Sequence, residues 1–346
     1  MKAAVLRGGR MVVDDIPEPA PGEGQVLVQT RACGICGSDL HTVQHADEMV
    51  RLSEEAAESA PEGVSMFVFD PARDVVMGHE FAADVLELGP GAAGVTPGQT
   101  IVCMPIVADE RGLHAVGYSN DYPGGYGERM VLSAGLFLQV PNGLDARRAA
   151  LTEPMAVGVH AVNRSGIAPG QAAVVIGTGP IGLAVIAALR VKGIEPIVAA
   201  DYSARRRDLA RTMGAHEVVD PQEEPAIAAW RRVEGRRPLV IFEAVGVPGV
   251  IDRAMRDAPR QAEIMVVGVC MEPDQVQPFL GISKELTVRF ALGYDPMEFA
   301  STLQAIAEGA IDVDPLITGA VGIDGVPDAF TDLANPEAHA KIVVEP

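Results

Sequence analysis

The sequence predicts a two-domain α/β protein, a β-rich barrel or sandwich followed by a doubly wound parallel sheet. Three observations carry the prediction. The first 140 residues break into short apolar and β-branched runs between Gly/Pro turns. From about Ala172 strands alternate with helices of about ten residues, the rhythm of βαβ units. Finally, a Gly177-x-Gly179-x-x-Gly182 turn lies between one such strand and the helix it opens.

Element by element, Lys2–Leu6, Gln25–Thr30, Val85–Leu88 and Thr100–Met104 read as strands bounded by turn residues. Asp47–Ala60 is an acidic, Ala/Glu-rich helical insertion within this β-rich part, with Met49, Leu52, Ala56 and Ala60 at helical spacing. The second part reads as strand Ala173–Ile176, helix Ile181–Val191, strand Pro196–Ala200 and helix Ala204–Met213. Strand Leu239–Phe242, helix Gly249–Ala258 and strand Ala262–Val269 follow. The tail returns to mixed helix and short strand over Phe299–Glu308, Ile311–Leu316 and Ala340–Val344, and no internal repeat is present.

Composition closes off several classes. With 346 residues, 48% hydrophobic and 21% charged, the chain has ordinary globular composition for about two domains. Its 37 Gly and 26 Pro follow no period, which excludes collagen and low-complexity readings. A balance of 27 Lys+Arg against 47 Asp+Glu, or −20, repels a phosphate backbone and argues against nucleic acid as partner. Cys33, Cys36, Cys103 and Cys270 are too few for a disulfide scaffold. The opening MKAAVLRGGRMVVDD lacks the apolar stretch of a secretory signal. The uncharged run Ile167–Leu189 is long enough to span a bilayer, but Pro169, Gly170, Gly177, Gly179, Pro180 and Gly182 resolve it as loop, strand, turn and helix. A soluble protein of a reducing, cytoplasmic compartment is expected, without membrane contact.

The glycine turn carries chemistry. Gly177 permits a tight turn, Gly179 the close approach of a pyrophosphate, and Gly182 close helix–strand packing. Pro180 and Ile181 open a helix whose free N–H groups and dipole attract a diphosphate. Asp201 ends the next strand, where a carboxylate accepts hydrogen bonds from both ribose hydroxyls of an adenosine and repels a 2′-phosphate. NAD is therefore expected over NADP. Arg205, Arg206 and Arg207 are the counter-signal, able to hold such a phosphate or to form a solvated helix face.

The second chemical stretch is ACGICGSDLH, followed by GHEF and LTEPMAVGVHA. Cys36, His79 and Glu153 offer a thiolate, an imidazole and a carboxylate, a three-ligand set that leaves zinc an open position. Zn²⁺ with one thiolate and one carboxylate is formally neutral, yet still polarises an alcohol oxygen and lowers its pKa. Singly, each residue has an ordinary structural explanation. Together with the glycine turn they resemble the zinc-dependent medium-chain dehydrogenase/reductase (alcohol dehydrogenase) family, in particular its sorbitol (polyol) dehydrogenase-like branch. The resemblance runs over nearly the whole chain, through CGICGSDLH, GHE, TEPMAVGVHA, GTGPIG, KEL, PLITG and KIVV.

That resemblance implies a GroES-like domain over 1–154, completed by 294–346, and a Rossmann domain over 155–293, with the active site in the cleft between them. It implies an oxidoreductase moving hydride between a secondary alcohol or polyol and NAD, assembled as a dimer or tetramer. It makes Cys36, His79 and Glu153 zinc ligands, places Glu80 beside or within the coordination sphere, and gives Asp39 the orientation of the His79 imidazole. Ser38 would hydrogen-bond the alcohol, and His41 would take its proton by way of the cofactor ribose. Three departures stand out. Ala83 replaces a usual glycine. The lobe Cys103–Gly127 holds only Cys103 where four cysteines often bind a second zinc, so one zinc per chain is expected. Cys36 and His79 are also farther apart than in polyol dehydrogenases. The extra segment carries Met66, Phe67, Val68 and Phe69, expected to line the substrate cleft or a subunit contact and to favour uncharged alcohols, or to be peripheral decoration. Cys33 and Cys270 read as buried, inert residues and Trp230 as a packing anchor, while His45, His114, His160, His216 and His339 show no partner pattern. Two rival functions stand beside this reading: a zinc-free NADPH-dependent quinone or enoyl reductase of the same superfamily, and a nucleotide-binding protein without catalysis.

Overall fold

Lys2–Arg7 (β1) pairs antiparallel with Arg10–Asp15 (β2) across Gly8-Gly9, whose φ values of 56° and 74° suit the mirror-image turn that matches strand twist. The computed structural model describes residues 1–58 and 69–346. Two units divide the chain: unit 1 is Met1–Glu153, Ile317–Asn335 and Lys341–Pro346, and unit 2 is Pro154–Leu316 and Pro336–Ala340. Unit 1 continues with Gln25–Gly34 (β3), helix Gly37–Ala57 (α1), Glu80–Leu88 (β4), Thr100–Cys103 (β5), Ile106–Asp109 (β6), Gly112–Ala115 (β7), Arg129–Ser133 (β8), Phe137–Gln139 (β9) and helix Ala146–Ala150 (α2). Helix Thr152–Arg164 (α3) leads into unit 2.

The insertion helix read from Asp47 starts earlier. α1 begins just after Cys36 and is bent at His45 (φ −136°, ψ 37°), so the acidic segment is its second leg. Met49 is buried with Sδ 3.1 Å from Thr42 Oγ1, but Ala56 is exposed and no later residue of α1 is buried. The apolar stripe is therefore shorter than its spacing suggests. Ala60, Met66, Phe67 and Val68 lie outside the described residues; Phe69 is buried.

In the lobe Cys103–Gly127, β6 and β7 form a hairpin tied by Asp109. Its carboxylate accepts from Arg111 Nε (2.8 Å) and Nη2 (2.6 Å) and from the Tyr122 hydroxyl (2.9 Å), and it pairs with His114 Nε2 (2.7 Å). His114 thus has a partner that the sequence did not reveal. Burial pushes the Asp109 carboxyl up, but Arg111, His114 and Tyr122 together hold it well below the usual carboxylate range.

Unit 2 is built on Ala172–Ile176 (β10), Pro180–Val191 (α4), Ile197–Ala200 (β11), Ala204–Met213 (α5), Glu217–Val219 (β12), Ala226–Val233 (α6), Leu239–Glu243 (β13), Val250–Asp257 (α7), Glu263–Val266 (β14), Pro278–Lys284 (α8), Thr287–Phe290 (β15) and Pro296–Ala307 (α9). All six strands are parallel, in the order β12-β11-β10-β13-β14-β15. The order reverses between β10 and β13, the switch point at which open α/β sheets bind ligands. β10 reads AAVVI because helices cover both its faces. Ala172, Val174, Ile241 and Trp230 meet in the core, so the sole tryptophan is a packing residue.

One expectation changes in unit 2. β14 stops at Val266, with Val267 N–H making the last ladder bond to Glu243 O of β13; Cys270 therefore lies beyond the strand, half-exposed rather than buried. Unit 2 runs to Leu316, and the chain returns to unit 1 at Ile317. Glu298 ties α9 to α3, accepting from Asn163 Nδ2 (2.9 Å) and pairing with His160 Nδ1 (2.7 Å). After that return, Ile317–Val321 (β16), helix Val326–Leu333 (α10) and Lys341–Val344 (β17) complete unit 1. The finished sheet runs β16-β17-β3-β4-β5-β9, with β8 also on β3. β17 pairs with the end of β3, Val343 opposite Gly34, and Gly34 in turn lies opposite Glu80 of β4. Three strand ends thus converge where the candidate metal ligands lie. Among the described residues no helix is long and apolar enough to cross a membrane.

Candidate functional site

In unit 1, the β3–α1 junction and the start of β4 bring the candidate ligands together. Ligand atoms of Cys36, His79 and Glu80 lie within 4.8 Å of one another. Gly78, at φ 102°, makes the approach: a Cβ there would meet the Tyr126 ring at 2.8 Å and Cys33 Sγ at 2.9 Å. Cys33 is fully buried. Glu153 stands outside the three-residue group, half-buried in the first turn of α3, and its charge acts on Lys341.

Asp39 is fully buried in the first turn of α1 and saturated with donors. Its Oδ2 accepts the Tyr126 hydroxyl (2.5 Å) and the Cys36 N–H (3.0 Å), and the Tyr118 hydroxyl lies 2.9 Å from Oδ1. Burial would raise its pKa, but His79 and these donors hold the carboxyl below its usual range. His79 Nδ1 lies 3.4 Å from Asp39 Oδ1, outside hydrogen-bond alignment, and has no other partner. Burial opposes the charged imidazole, yet Asp39 and Cys36 hold its pKa above the usual range; a metal ion competes with that proton. A thiolate, an imidazole backed by a carboxylate, and a further carboxylate form a donor set that fits zinc.

Glu80 is committed elsewhere. Lys341 Nζ donates to both its oxygens at 2.7 Å and to Ile35 O at 3.1 Å, with both side chains out of solvent. Gly34 makes the room, since a Cβ there would sit 2.1 Å from Glu80 Oε2. Ser38 Oγ lies 2.8 Å from the Tyr118 hydroxyl. His41 is half-buried, and burial together with His45 keeps its pKa below the usual imidazole range.

In unit 2, the glycine turn follows β10. Gly177 takes φ 88°, and a Cβ there would meet Val245 at 2.6 Å; a Cβ on Gly182 would meet Gly177 O at 2.0 Å. Gly179 has nothing within 4 Å, so the middle of the turn faces open space. Gly179 also caps α4, with Pro180 and Ile181 as its first residues. Asp201 Oδ2 accepts the Thr178 N–H (2.8 Å) and Oγ1–H (3.2 Å), while Oδ1 accepts the Ser203 N–H (2.9 Å). Arg207 is tied to Asp201 O, Tyr202 O and Asp220, whereas Arg206 Nε is buried without a partner.

Residues 22–142 match the alcohol dehydrogenase GroES-like domain, and residues 180–308 match the zinc-binding dehydrogenase domain. (R,R)-butanediol dehydrogenase of Bacillus subtilis is 31% identical over the full length of both chains. The chain belongs to the zinc-dependent medium-chain alcohol dehydrogenase family. A second (R,R)-butanediol dehydrogenase, from Neisseria gonorrhoeae, is also 31% identical, covering 100% of this chain and 99% of that one. The crystal structure of 2R,3R-butanediol dehydrogenase from Bacillus subtilis superposes with a TM-score of 0.84 at 30% identity, covering 100% and 99% of the two chains. A zinc-binding dehydrogenase of Sinorhizobium meliloti bound to NADP gives 0.83 at 28% identity, covering 100% and 99%. This family member is an alcohol and polyol oxidoreductase of the zinc type, with the expected GroES-like and Rossmann parts. The rival reductase and non-catalytic readings are not favoured.

Sequence reasoning missed Lys341, Tyr118 and Tyr126. The KIVV segment that carries Lys341 contributed only to the family resemblance, and nothing in YSNDYPGGYG singles out two phenols aimed at Asp39.

Proposed function

We propose that this chain is a one-zinc, NAD-linked, cytoplasmic dehydrogenase interconverting an uncharged secondary alcohol or polyol with its carbonyl product. The observation that carries the reading is the pairing of Cys36 and His79 in front of a buried Asp39. Cys36, His79 and Glu153 would hold the zinc, with Glu80 kept beside it on Lys341. Zinc, when bound, supplies Lewis-acid polarisation of the substrate oxygen. Ser38 takes a hydrogen bond from the alcohol hydroxyl, and His41, its charged form disfavoured by burial, receives the proton. The polar hub at Asp109 does for the lobe what a second zinc does in other dehydrogenases, which supports one zinc per chain.

For the cofactor, Gly179 and the first N–H groups of α4 receive the pyrophosphate, and Asp201 the ribose hydroxyls. Two observations favour a second reading, NADP: the unpartnered Nε of Arg206 and the NADP bound to the Sinorhizobium meliloti relative. The oxygens of Asp201 would oppose a 2′-phosphate, and NAD is preferred for that reason. A homo-oligomer joined along β15 is also proposed, since Phe290, Phe279 and Ile282 are exposed on β15 and α8. Elemental analysis and a panel of diols, polyols and secondary alcohols test the reading together. One zinc per chain and NADH formation abolished by chelation are expected; turnover untouched by strong chelation refutes it.

A further inference from the structure

Tyr118 is buried, 2% exposed, in the lobe that follows β7, and its single hydroxyl lies 2.8 Å from Ser38 Oγ and 2.9 Å from Asp39 Oδ1. A phenol has one proton to give, and an ionised carboxylate only accepts. Asp39 receives donors on every side, from Tyr126 and the Cys36 N–H at Oδ2, and with His79 Nδ1 facing Oδ1. Two buried oxygens 2.9 Å apart need a proton between them. The phenolic proton therefore lies on the Asp39 side, and the contact to Ser38 forms with the serine hydroxyl donating to the phenol oxygen.

That accounting decides which way Ser38 faces. Its backbone is fixed by the Thr42 hydroxyl donating to Ser38 O at 2.8 Å, and its one proton is directed inward. What remains toward a substrate is a pair of oxygen lone pairs. We propose that Tyr118 is a positioning residue that holds Ser38 as an acceptor for the alcohol hydroxyl. Ser38 then accepts from the alcohol and donates to Tyr118, which donates to Asp39; these hydrogen bonds orient the alcohol hydroxyl, while the proton it loses goes to His41. The Tyr118 ring also leans on the His79 ring, with centroids 5.3 Å apart, so one side chain sets both the imidazole and the serine.

The inference rests on the proposed alcohol dehydrogenase reading and deepens it. Tyr118→Phe keeps the ring against His79 and removes only the hydroxyl. Single-turnover alcohol oxidation in the zinc-loaded holoenzyme is expected to fall about 10–100-fold, the lower end of what positioned proton acceptors supply. Zinc content, unfolding midpoint and KM for NAD are expected to stay at wild-type values, so that the loss appears in kcat. The Ser38→Ala/Tyr118→Phe double variant should be no slower than Ser38→Ala, because the two residues act as one unit. The solvent deuterium isotope effect on the single-turnover rate should change in Tyr118→Phe.

Tyr126→Phe separates a role through Ser38 from a role through Asp39 alone. It removes the other phenol from Asp39 without touching Ser38, so excess zinc should restore whatever it loses, while Tyr118→Phe stays slow. A Tyr118→Phe enzyme as fast as wild type overturns the proposal. So do losses that simply add to those of Ser38→Ala, or a defect repaired by excess zinc. A wild type that holds zinc but oxidises no alcohol overturns the dehydrogenase reading itself, and this inference with it.

Discussion

Replacing Lys341 by Met removes a charge while keeping nearly the same stem. The ammonium spends its three protons on Glu80 Oε1, Glu80 Oε2 and Ile35 O, and both charged side chains are 1% exposed or less. At an effective dielectric of about 20, opposite charges 2.7 Å apart attract by roughly 6 kcal/mol, part of which desolvation cancels. Deleting one partner strands the other, at a cost of about 3–5 kcal/mol. Against a total stability of about 5–15 kcal/mol, that is a large fraction. The assay is urea unfolding of the metal-free protein, with hydrogen exchange of β3 and β4 peptides reporting unit 1. Trp230, buried in the core of unit 2, supplies an internal reference whose transition should not move. Pairing Lys341→Met with Glu80→Met should recover most of the loss, leaving about 1–2 kcal/mol for the orphaned Ile35 carbonyl. Burial lowers the Lys341 pKa, but Glu80 outweighs it and the folded value is raised; the contribution is full below about pH 10.5 and fades as pH climbs through that higher value. A single-variant cost under about 1 kcal/mol, or double-variant losses equal to the sum of the singles, would refute the buried-pair argument.

Cys36→Ala is expected to empty the zinc site and abolish turnover, with NAD binding to unit 2 intact by calorimetry; loss of NAD binding as well would count against separable sites. For the cofactor, kcat/KM should favour NAD, and Asp201→Ala should erode that preference at about 1.4 kcal/mol per tenfold change; a wild type preferring NADP would transfer the role to Arg206. His41→Ala should slow alcohol oxidation most near neutral pH and recover partly at high pH, because solvent hydroxide replaces the lost base; an unchanged pH–rate profile rules out the relay. Asp109→Asn should loosen the lobe, read as faster hydrogen exchange over β6 and β7. Because the folded Asp109 pKa is depressed, the wild-type lobe keeps its stability above about pH 4 and loses it on acidification below that, a dependence the variant should lack.

How much was legible follows from how local each constraint is. The glycine turn could be read because Gly177 and Gly182 answer steric demands set within a few residues of chain and one neighbouring loop. The bounds of α5 could be read because Ser203 caps it and Gly214 ends it. Cys36 and His79 were visible through their chemistry. The Lys341–Glu80 pair was not, because its partners are 261 residues apart and meet only through the register of β17 on β3 and β3 on β4. Tyr118 and Asp39, 79 residues apart, are the same case. Cys270 was misread because the apolar run continues past Val267, whose N–H makes the last β13–β14 ladder bond, to Glu243 O. The tie of Glu298 to His160 and Asn163, 138 and 135 residues away, is another contact that periodicity does not carry.

The insertion of β17 between β16 and β3 has a consequence for the order in which the protein is made. Translation delivers β3, β4 and Glu80 early, then the whole of Pro154–Leu316, and Lys341 only after that. Unit 2 has its six strands in hand while unit 1 still waits for the strand that neutralises Glu80. Nascent chains fold in units as they emerge, so the nucleotide half matures first, and the metal half stays open at the edge of β3 until synthesis has passed it. A chain cut between α9 and β17 would therefore carry all six strands of unit 2 joined to an unfinished metal site, with β3 unpaired on the side that β17 covers.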